Sequence, residues 1–256
     1  MENVFVDYSK YYDLLYRSKN YAGEVKYVED VIKKHGIPNS KILIDLGCGT
    51  GNHSLILSKN GWTVTGIDRS ESMLHIARQK AKENNLKVNF LHGELSNCEI
   101  QEDSSFDVAI SMFAVIGYLT ESKSLLHLFT TINKILKPGG LFIFDCWFGP
   151  AVLSNRSTDS YKFVEENEIR VIRFTHSELH PLKNVIDVNF HIIEIQKNQI
   201  KSEVKETHPM RFFFTPEIEM FFNHSGMDLV ATYPFMKLNM QANENDQNVL
   251  FVGRKK

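Results

Sequence analysis

The apolar run Ile42-Leu43-Ile44 passes directly into Asp45-Leu46-Gly47-Cys48-Gly49-Thr50-Gly51, and a helical pattern follows over 51–60. No other feature constrains the chain as much, because strand-to-helix crossovers of this kind are what build a parallel sheet. Glycine supplies the backbone freedom for a tight turn and lets the chain approach a ligand closely. The alternation then continues. Residues 62–67, after Gly61, read as a second strand. Ser70 can cap a helix to about Lys82, with Met73, Leu74, Ile76, Ala77 and Ala81 on its apolar side. Residues 87–91 and 106–113 read as third and fourth strands. Thr120 is expected to cap a helix whose face is Leu125, Leu128, Phe129, Ile132, Ile135 and Leu136. Pro138-Gly139-Gly140 is expected to end it, and residues 141–146 form a fifth strand. Helices alternating with strands apolar on both faces predict an α/β fold, a doubly wound and mostly parallel sheet.

The pattern changes after residue 160. Residues 161–178, 184–196 and 202–214 read as three extended segments, with turns at His180-Pro181 and Lys197-Asn198. They predict a small antiparallel sheet inserted before the last helix and strands. Thr215-Pro216-Glu217 starts that helix, with proline at the first helical position, and Gly226 ends it. Residues 230–233 and 249–252 then complete the main sheet. A leading helix, Tyr21–His35, is closed by Gly36 and Pro38. The expected organisation is a helical cap over 1–40, a ligand-binding domain from 41–155 and 215–256, and an inserted sheet over 156–214. That sheet is read as a lid, a substrate region or a homodimer surface.

Composition narrows the function classes. The 29 basic and 31 acidic residues leave a net charge of -2, with no basic stripe, so nucleic acid is not an expected partner. The segment after the fourth strand, SMFAV, lacks an N/D-P-P-Y signature, and no Pro-Cys pair offers a cytosine-attacking thiol. The longest apolar stretch, 108–119, is too short to span a bilayer, so no membrane partner is expected. The first fifteen residues hold acids and tyrosines and no apolar core, so no secretory signal is expected. Cys48, Cys98 and Cys146 are odd in number and widely spaced, without a CxxC. Neither a disulfide framework nor a metal site is expected, and a cytoplasmic protein is.

Asp68 ends the second strand, and carboxyl ends of neighbouring strands border one crevice in an open α/β sheet. A carboxylate there can accept both hydroxyls of a ribose, so the turn and the acid together suggest a nucleoside-like ligand. The plainer alternative is a glycine turn that serves only the connection. A dinucleotide would call for G-x-G-x-x-G and a pyrophosphate at the helix start. The spacing here is G-x-G-x-G, preceded by Asp45, which repels a pyrophosphate but suits an ammonium. S-adenosyl-L-methionine is therefore favoured over NAD.

IDLGCGTG, GIDRSESML, HGEL, SFDVAISMFAVIGYL and LKPGGLFIFD, in that order over about residues 20–150, resemble the successive motifs of class I S-adenosylmethionine-dependent methyltransferases. The resemblance implies a seven-stranded sheet with one antiparallel edge strand. It also implies that Gly47 and Gly49 approach the methionine part, that Asp68 binds the ribose and that Met73 packs near the adenine. Glu94 stands where the family has an aspartate for the adenine amino group, and Leu95 and Met112 line the same pocket. More narrowly, Tyr12-Asp13-Leu14-Leu15-Tyr16, Lys19-Asn20-Tyr21, CGTGNHS, SMFAVIGYL, FDCWFGP and LFVGRK are similar to nucleotide-linked (dTDP) amino-sugar N,N-dimethyltransferases. Glycine N-methyltransferase and related enzymes share parts of this. That resemblance puts Tyr12 and Tyr118 in the active site, lets Tyr21 close over the cofactor and lets Trp147 stack on base or sugar.

A tyrosine of ordinary pKa, about 10, is a poor base at neutral pH, so Tyr12 and Tyr118 are assigned hydrogen bonding to the acceptor. Arg156, Arg170, Arg173 and Arg211 are candidates for substrate phosphates, and His53 is a further candidate in the turn. No histidine or acid stands as an obvious base for a hydroxyl, which favours nitrogen as the acceptor atom. The expected function is methyl transfer to a small-molecule amine, the amino group of a nucleotide-linked deoxyamino sugar. The alternatives are an O- or N-methyltransferase of another small metabolite, a non-catalytic S-adenosylmethionine binder and, last, an NAD-dependent oxidoreductase.

Overall fold

Local chemistry sets most element boundaries in the computed structural model, which describes residues 8–97, 105–155 and 158–256. Helix α1 spans Ser9–Leu15 and α2 Tyr21–His35. The Asn20 side chain caps α2 by accepting from Gly23 N, and Lys33, Lys34 and His35 suit the negative end of the helix dipole. Strand β1 (Ile42–Leu46) runs through the glycine turn into α3 (Asn52–Lys59), followed by β2 (Thr63–Asp68) and α4 (Glu71–Glu83). Ser70 caps α4 through Met73 N. Then come β3 (Val88–His92), β4 (Phe106–Ser111), α5 (Ser122–Ile135), β5 (Leu136–Trp147) and α6 (Gly149–Ser154). Strands β6 (Ser160–Glu166), β7 (Ile169–His180), β8 (Val185–Gln196) and β9 (Gln199–Arg211) follow, and α7 (Thr215–His224), β10 (Met227–Pro234) and β11 (Asn248–Lys255) close the chain.

The main sheet has the order β10-β11-β5-β4-β1-β2-β3, which is the expected doubly wound α/β architecture. Strands β1 to β5 are mutually parallel, while β11 runs antiparallel to both β5 and β10. The antiparallel strand is thus one place in from the edge, and β10 is the edge strand; the expectation of an antiparallel edge is corrected. Strand β5 shows why the sheet is doubly covered. Its Phe142 and Phe144 face a cluster with Phe129, Phe222 and Phe251, while Leu141 and Ile143 face Val28, Val31, Leu57 and Leu250. Truncating Phe129 to alanine is expected to cost about 3–5 kcal/mol from this core.

The inserted sheet has the order β6-β7-β8-β9, four antiparallel strands instead of three segments. The segment expected over 161–178 is split by a two-residue turn at Asn167 and Glu168, both with positive φ (48° and 65°). Lys197 and Asn198 make the same kind of turn, at 48° and 58°. Asparagine favours this conformation but glutamate rarely takes it, so the first turn carried only a partial sequence signal. Two other boundaries move. Helix α5 begins after Glu121 without a side-chain cap from Thr120. Strand β5 starts at Leu136 and runs through Pro138-Gly139-Gly140, with an irregular register against β4. The leading helices divide their packing. Residues Tyr8, Tyr11 and Leu15 join Val164, Val171, Ile192 and Val204 of the inserted sheet, whereas α2 packs on the main sheet.

Candidate active site

Between β1 and β4 the strand order reverses, and that is where open α/β sheets bind ligands. A cleft of about 220 Å³ opens there, at the carboxyl ends of the parallel strands and under α1 and the inserted sheet. Of the expected site residues, Tyr12, Gly47, Gly49, Asp68, Met73, Glu94, Leu95, Tyr118 and Trp147 line it. Asp45, Met112 and Tyr21 lie off the lining. Asp45 is buried under the turn and accepts from Ser54 Oγ at 2.6 Å, so it braces the start of α3. Met112 packs with Ile143 and Val28 in the core beneath α2, and its neighbour Phe113 reaches the cleft instead. The Tyr21 hydroxyl is buried beside Tyr12 and Asn52 without a well-formed hydrogen bond.

One wall suits a nucleoside. Gly47 has φ of 76°, and a Cβ there would stand 2.2 Å from Val115 Cγ1. Gly49, at φ 54°, faces open space. Only glycine keeps this cradle. Asp68 closes the cradle by accepting from Gly49 N and Ser70 N, both at 2.8 Å, one through each carboxylate oxygen. Each oxygen keeps a lone pair for a ribose hydroxyl. Burial holds the Asp68 carboxyl above the usual carboxylate range, against the pull of those two backbone donors. The glycine cradle and the outward lone pairs of Asp68 therefore fit S-adenosylmethionine, and Met73, Glu94 and Leu95 line the cleft beside them.

The opposite wall is aromatic and carries hydroxyls. Tyr8, Tyr12 and Tyr16 come from α1 and its flanks, with Tyr12 and Tyr16 centroids 4.9 Å apart. Tyr8 stacks on Phe190 at 5.5 Å. Arg173 Nη1 donates to the Tyr16 hydroxyl at 2.8 Å and to that of Tyr8 at 3.0 Å, which sets both rings. Asp13 ties α1 to the glycine turn. It accepts from Thr50 Oγ1 at 2.8 Å and Asn52 Nδ2 at 3.1 Å, and pairs with Lys80 at 2.6 Å.

Several cleft residues escaped the sequence reading. Asp145, at the end of β5, accepts from Phe113 N at 2.5 Å and Ala114 N at 3.1 Å. Phe113 and Ala114 both have positive φ, 72° and 55°, a conformation that costs about 1–3 kcal/mol per residue and needs such anchoring. Burial pushes the Asp145 carboxyl up to about 6. A signal existed, since Asp145 ends a strand just as Asp68 does. His208 of β9 is the second such residue. Its Nδ1 lies 2.8 Å from the Tyr118 hydroxyl and its Nε2 3.1 Å from Glu206 Oε2. No histidine was expected as an obvious base for a hydroxyl, and the fold places His208 against the Tyr118 hydroxyl in the cleft. No periodicity in β9 marks His208 apart from its neighbours.

The arginines separate. Arg211 is tied to the Thr120 carbonyl, Ser122 and Glu217, and Arg170 pairs with Glu165 on the surface. Arg156 and Cys98 lie outside the described residues. His53 is buried against Glu24 at 2.7 Å, and Cys48 and Cys146 are buried and free. Among the described residues, no cluster of side chains could hold a metal ion and no helix is long and apolar enough to cross a membrane.

A methyltransferase-domain family model matches residues 43–140. A Geobacillus sp. (strain WCH70) protein named as a methyltransferase is 33% identical over 142 residues, 56% of this chain and 57% of that protein. The chain therefore spans little more than half the length of that relative. The dTDP-3-amino-3,4,6-trideoxy-alpha-D-glucopyranose N,N-dimethyltransferase of Streptomyces venezuelae is 26% identical over 224 residues, 87% of this chain and 90% of that enzyme. The fold is shared with a structure of SAM-bound CalS10, an amino pentose methyltransferase from Micromonospora echinaspora. There the TM-score is 0.75 with 22% identity, and each chain is covered in full. The methyltransferase-domain match covers residues 43–140, the stretch that holds the glycine cradle and Asp68.

Proposed function

We propose that the protein transfers a methyl group from S-adenosylmethionine to the amino group of a nucleotide-linked deoxyamino sugar. The observation that carries this is a cleft with two unlike walls: a nucleoside cradle faces Tyr12, Tyr118, Trp147 and Phe190, with no metal cluster among the described residues. The long alignment with a dTDP-amino-sugar N,N-dimethyltransferase, over most of both chains, supports the same acceptor class. When bound, S-adenosylmethionine supplies an electrophilic methyl on a sulfonium. The protein's part is alignment and exclusion of water, which can contribute about 7–11 kcal/mol. Asp68, Gly47 and Gly49 hold the donor in place. Tyr118 and Tyr12 present hydroxyls to the acceptor amine, and Trp147 offers a face for base or sugar. Burial pushes the Tyr118 and Tyr12 hydroxyls above the usual tyrosine range, so they act as neutral hydrogen-bonding groups.

Two further readings go with this one. Cytoplasmic placement is supported by the buried free thiols of Cys48 and Cys146. Pairing of two copies is supported by the outer face of the inserted sheet, where Tyr161, Phe163, Phe174 and Ile200 are exposed. The deciding experiment is mass spectrometry of the protein with S-adenosylmethionine and a panel of dTDP-3-amino- and dTDP-4-amino-deoxyhexoses. A gain of one or two methyl masses on a sugar is expected. No gain, with cofactor binding shown intact by calorimetry, overturns the amino-sugar reading.

A further inference from the structure

The inserted sheet brings a histidine to the acceptor wall, and its bonding fixes its direction. His208 is 1% exposed, lines the cleft and pairs in register with Val188 of β8. A carboxylate only accepts, so the contact with Glu206 places the imidazole hydrogen on Nε2. In the neutral imidazole Nδ1 is then an acceptor, and the Tyr118 hydroxyl donates to it at 2.8 Å. A tyrosine oxygen both donates and accepts, so Tyr118, which lines the cleft, is able to pass a proton on. Glu206 is itself held, since its other oxygen accepts from Tyr8 N at 3.2 Å. This is the arrangement of an oriented base: carboxylate, imidazole, hydroxyl, reactant.

We propose that His208 receives the proton that the acceptor amine loses before attack, with the Tyr118 hydroxyl as carrier and Glu206 holding the imidazolium that results. The proposal rests on the amine reading above. The proton count closes as follows. A substrate ammonium gives one proton to Tyr118 Oη while the Tyr118 proton passes to His208 Nδ1. The products are a neutral amine with a free lone pair, a neutral tyrosine and an imidazolium beside Glu206. In the displacement the amine lone pair forms the new N–C bond, and the electrons of the C–S bond leave with sulfur. The imidazolium returns its proton to water on product release, which resets the pair for a second methylation.

The surroundings of the pair agree with this role. Tyr118 cannot serve as base alone, because burial opposes its phenolate. Among the described residues, the charged or titratable groups acting on the pair include Glu206 on the same strand, Tyr8 ahead of α1, Tyr16 after it, and Asp68 and Arg69 at and after the end of β2. From β8 it meets Val188 and Phe190, the latter with its ring 4.8 Å away.

The test is the pH profile of His208→Gln, an uncharged variant that keeps hydrogen-bonding capacity, on an amino sugar that the wild type methylates. The expected result is a loss in kcat of about 100-fold near neutral pH, in the range of general base catalysis. The loss narrows as rising pH supplies amine already deprotonated, while calorimetric affinity for S-adenosylmethionine stays within about twofold. A variant profile parallel to the wild type across pH overturns the proposal. A second measurement needs neither a variant nor a substrate. Nitrogen-15 NMR of the wild-type imidazole is expected to show the Nε2–H tautomer at His208; the Nδ1–H tautomer overturns the relay. Should the wild type methylate no amino sugar, the substrate reading falls, and the tautomer still decides the relay.

Discussion

Replacing Asp68 with alanine tests the donor half of the cleft most directly. In the free protein its two oxygens accept one backbone N–H each, from Gly49 and Ser70, at 2.8 Å. A ribose diol adds one charge-assisted hydrogen bond to each. Such bonds are worth about 1.5–3 kcal/mol apiece, and their losses overlap because both act on one carboxylate. Loss of the equivalent of one bond predicts S-adenosylmethionine binding about 10- to 150-fold weaker by isothermal titration calorimetry. Asp68→Asn, which retains one oxygen acceptor, is expected to fall between alanine and wild type. The truncation also frees Gly49 N and Ser70 N, so the unliganded melting temperature of each variant is the control. A turn that merely loosens lowers stability and affinity together, whereas lost ribose contacts lower affinity alone. The pH dependence has a definite sign. Burial raises the free carboxyl above its usual range, and ribose donors favour its charged form, so wild-type affinity falls as pH drops through the Asp68 pKa. Asp68→Ala lacks that dependence. Affinity for the alanine variant within about threefold of wild type would falsify the assignment.

Asp145 carries a second pH signature. Its pKa rises from 3.8 in the unfolded chain to about 6 in the fold, worth about 3 kcal/mol. That contribution is fully present below the unfolded value and lost as pH rises through about 6. Denaturant titrations should therefore show wild-type stability falling relative to Asp145→Asn between acid and neutral pH, and a flat difference refutes the shift. Asp13→Ala removes the acceptor that ties α1 to Thr50, Asn52 and Lys80. It is expected to raise the S-adenosylmethionine Kd by about threefold or more and to speed limited proteolysis near α1; unchanged proteolysis would mean that α1 is held by its packing on the inserted sheet. Phe163→Glu places a charge on the exposed face of the inserted sheet, and sedimentation is expected to show wild-type dimers giving way to monomers. A wild-type monomer ends the pairing reading.

The donor half of the cleft could be read from the chain because its parts are local. A strand, a glycine turn and a helix lie within about twenty residues, and the acid of the next strand end follows at Asp68. The helix caps at Asn20 and Ser70 are likewise decided by neighbours three residues away. Asp45 shows the limit of this reasoning. Its place before the glycines suggested an ammonium partner, yet the strand pleat turns its side chain under the turn toward Ser54. The direction of β11 and the split of β6 from β7 were hidden for a different reason. The first depends on pairing, and the second on a turn completed by Glu168, a residue type that rarely takes a positive φ.

The acceptor half is a tertiary product. Tyr8 and Tyr16 flank α1, Tyr118 follows β4, Trp147 ends β5, and Phe190 and His208 come from the inserted sheet. Tyr118 and His208 stand 90 positions apart in the chain, so no window of sequence contains the pair. This division has a chemical consequence. The cradle around Gly47 and Asp68 needs residues fixed by backbone geometry, where a single Cβ would collide with Val115. The acceptor wall needs only rings and hydroxyls delivered by a sheet that the main fold does not require. On the proposed function, changes in β8 and β9 alter which acceptor is taken while the donor cradle keeps its geometry. On this argument, substitutions at Phe190 and Met210 should shift acceptor preference with S-adenosylmethionine affinity unchanged. Paired loss of both affinities would show instead that the two walls of the cleft are mechanically one.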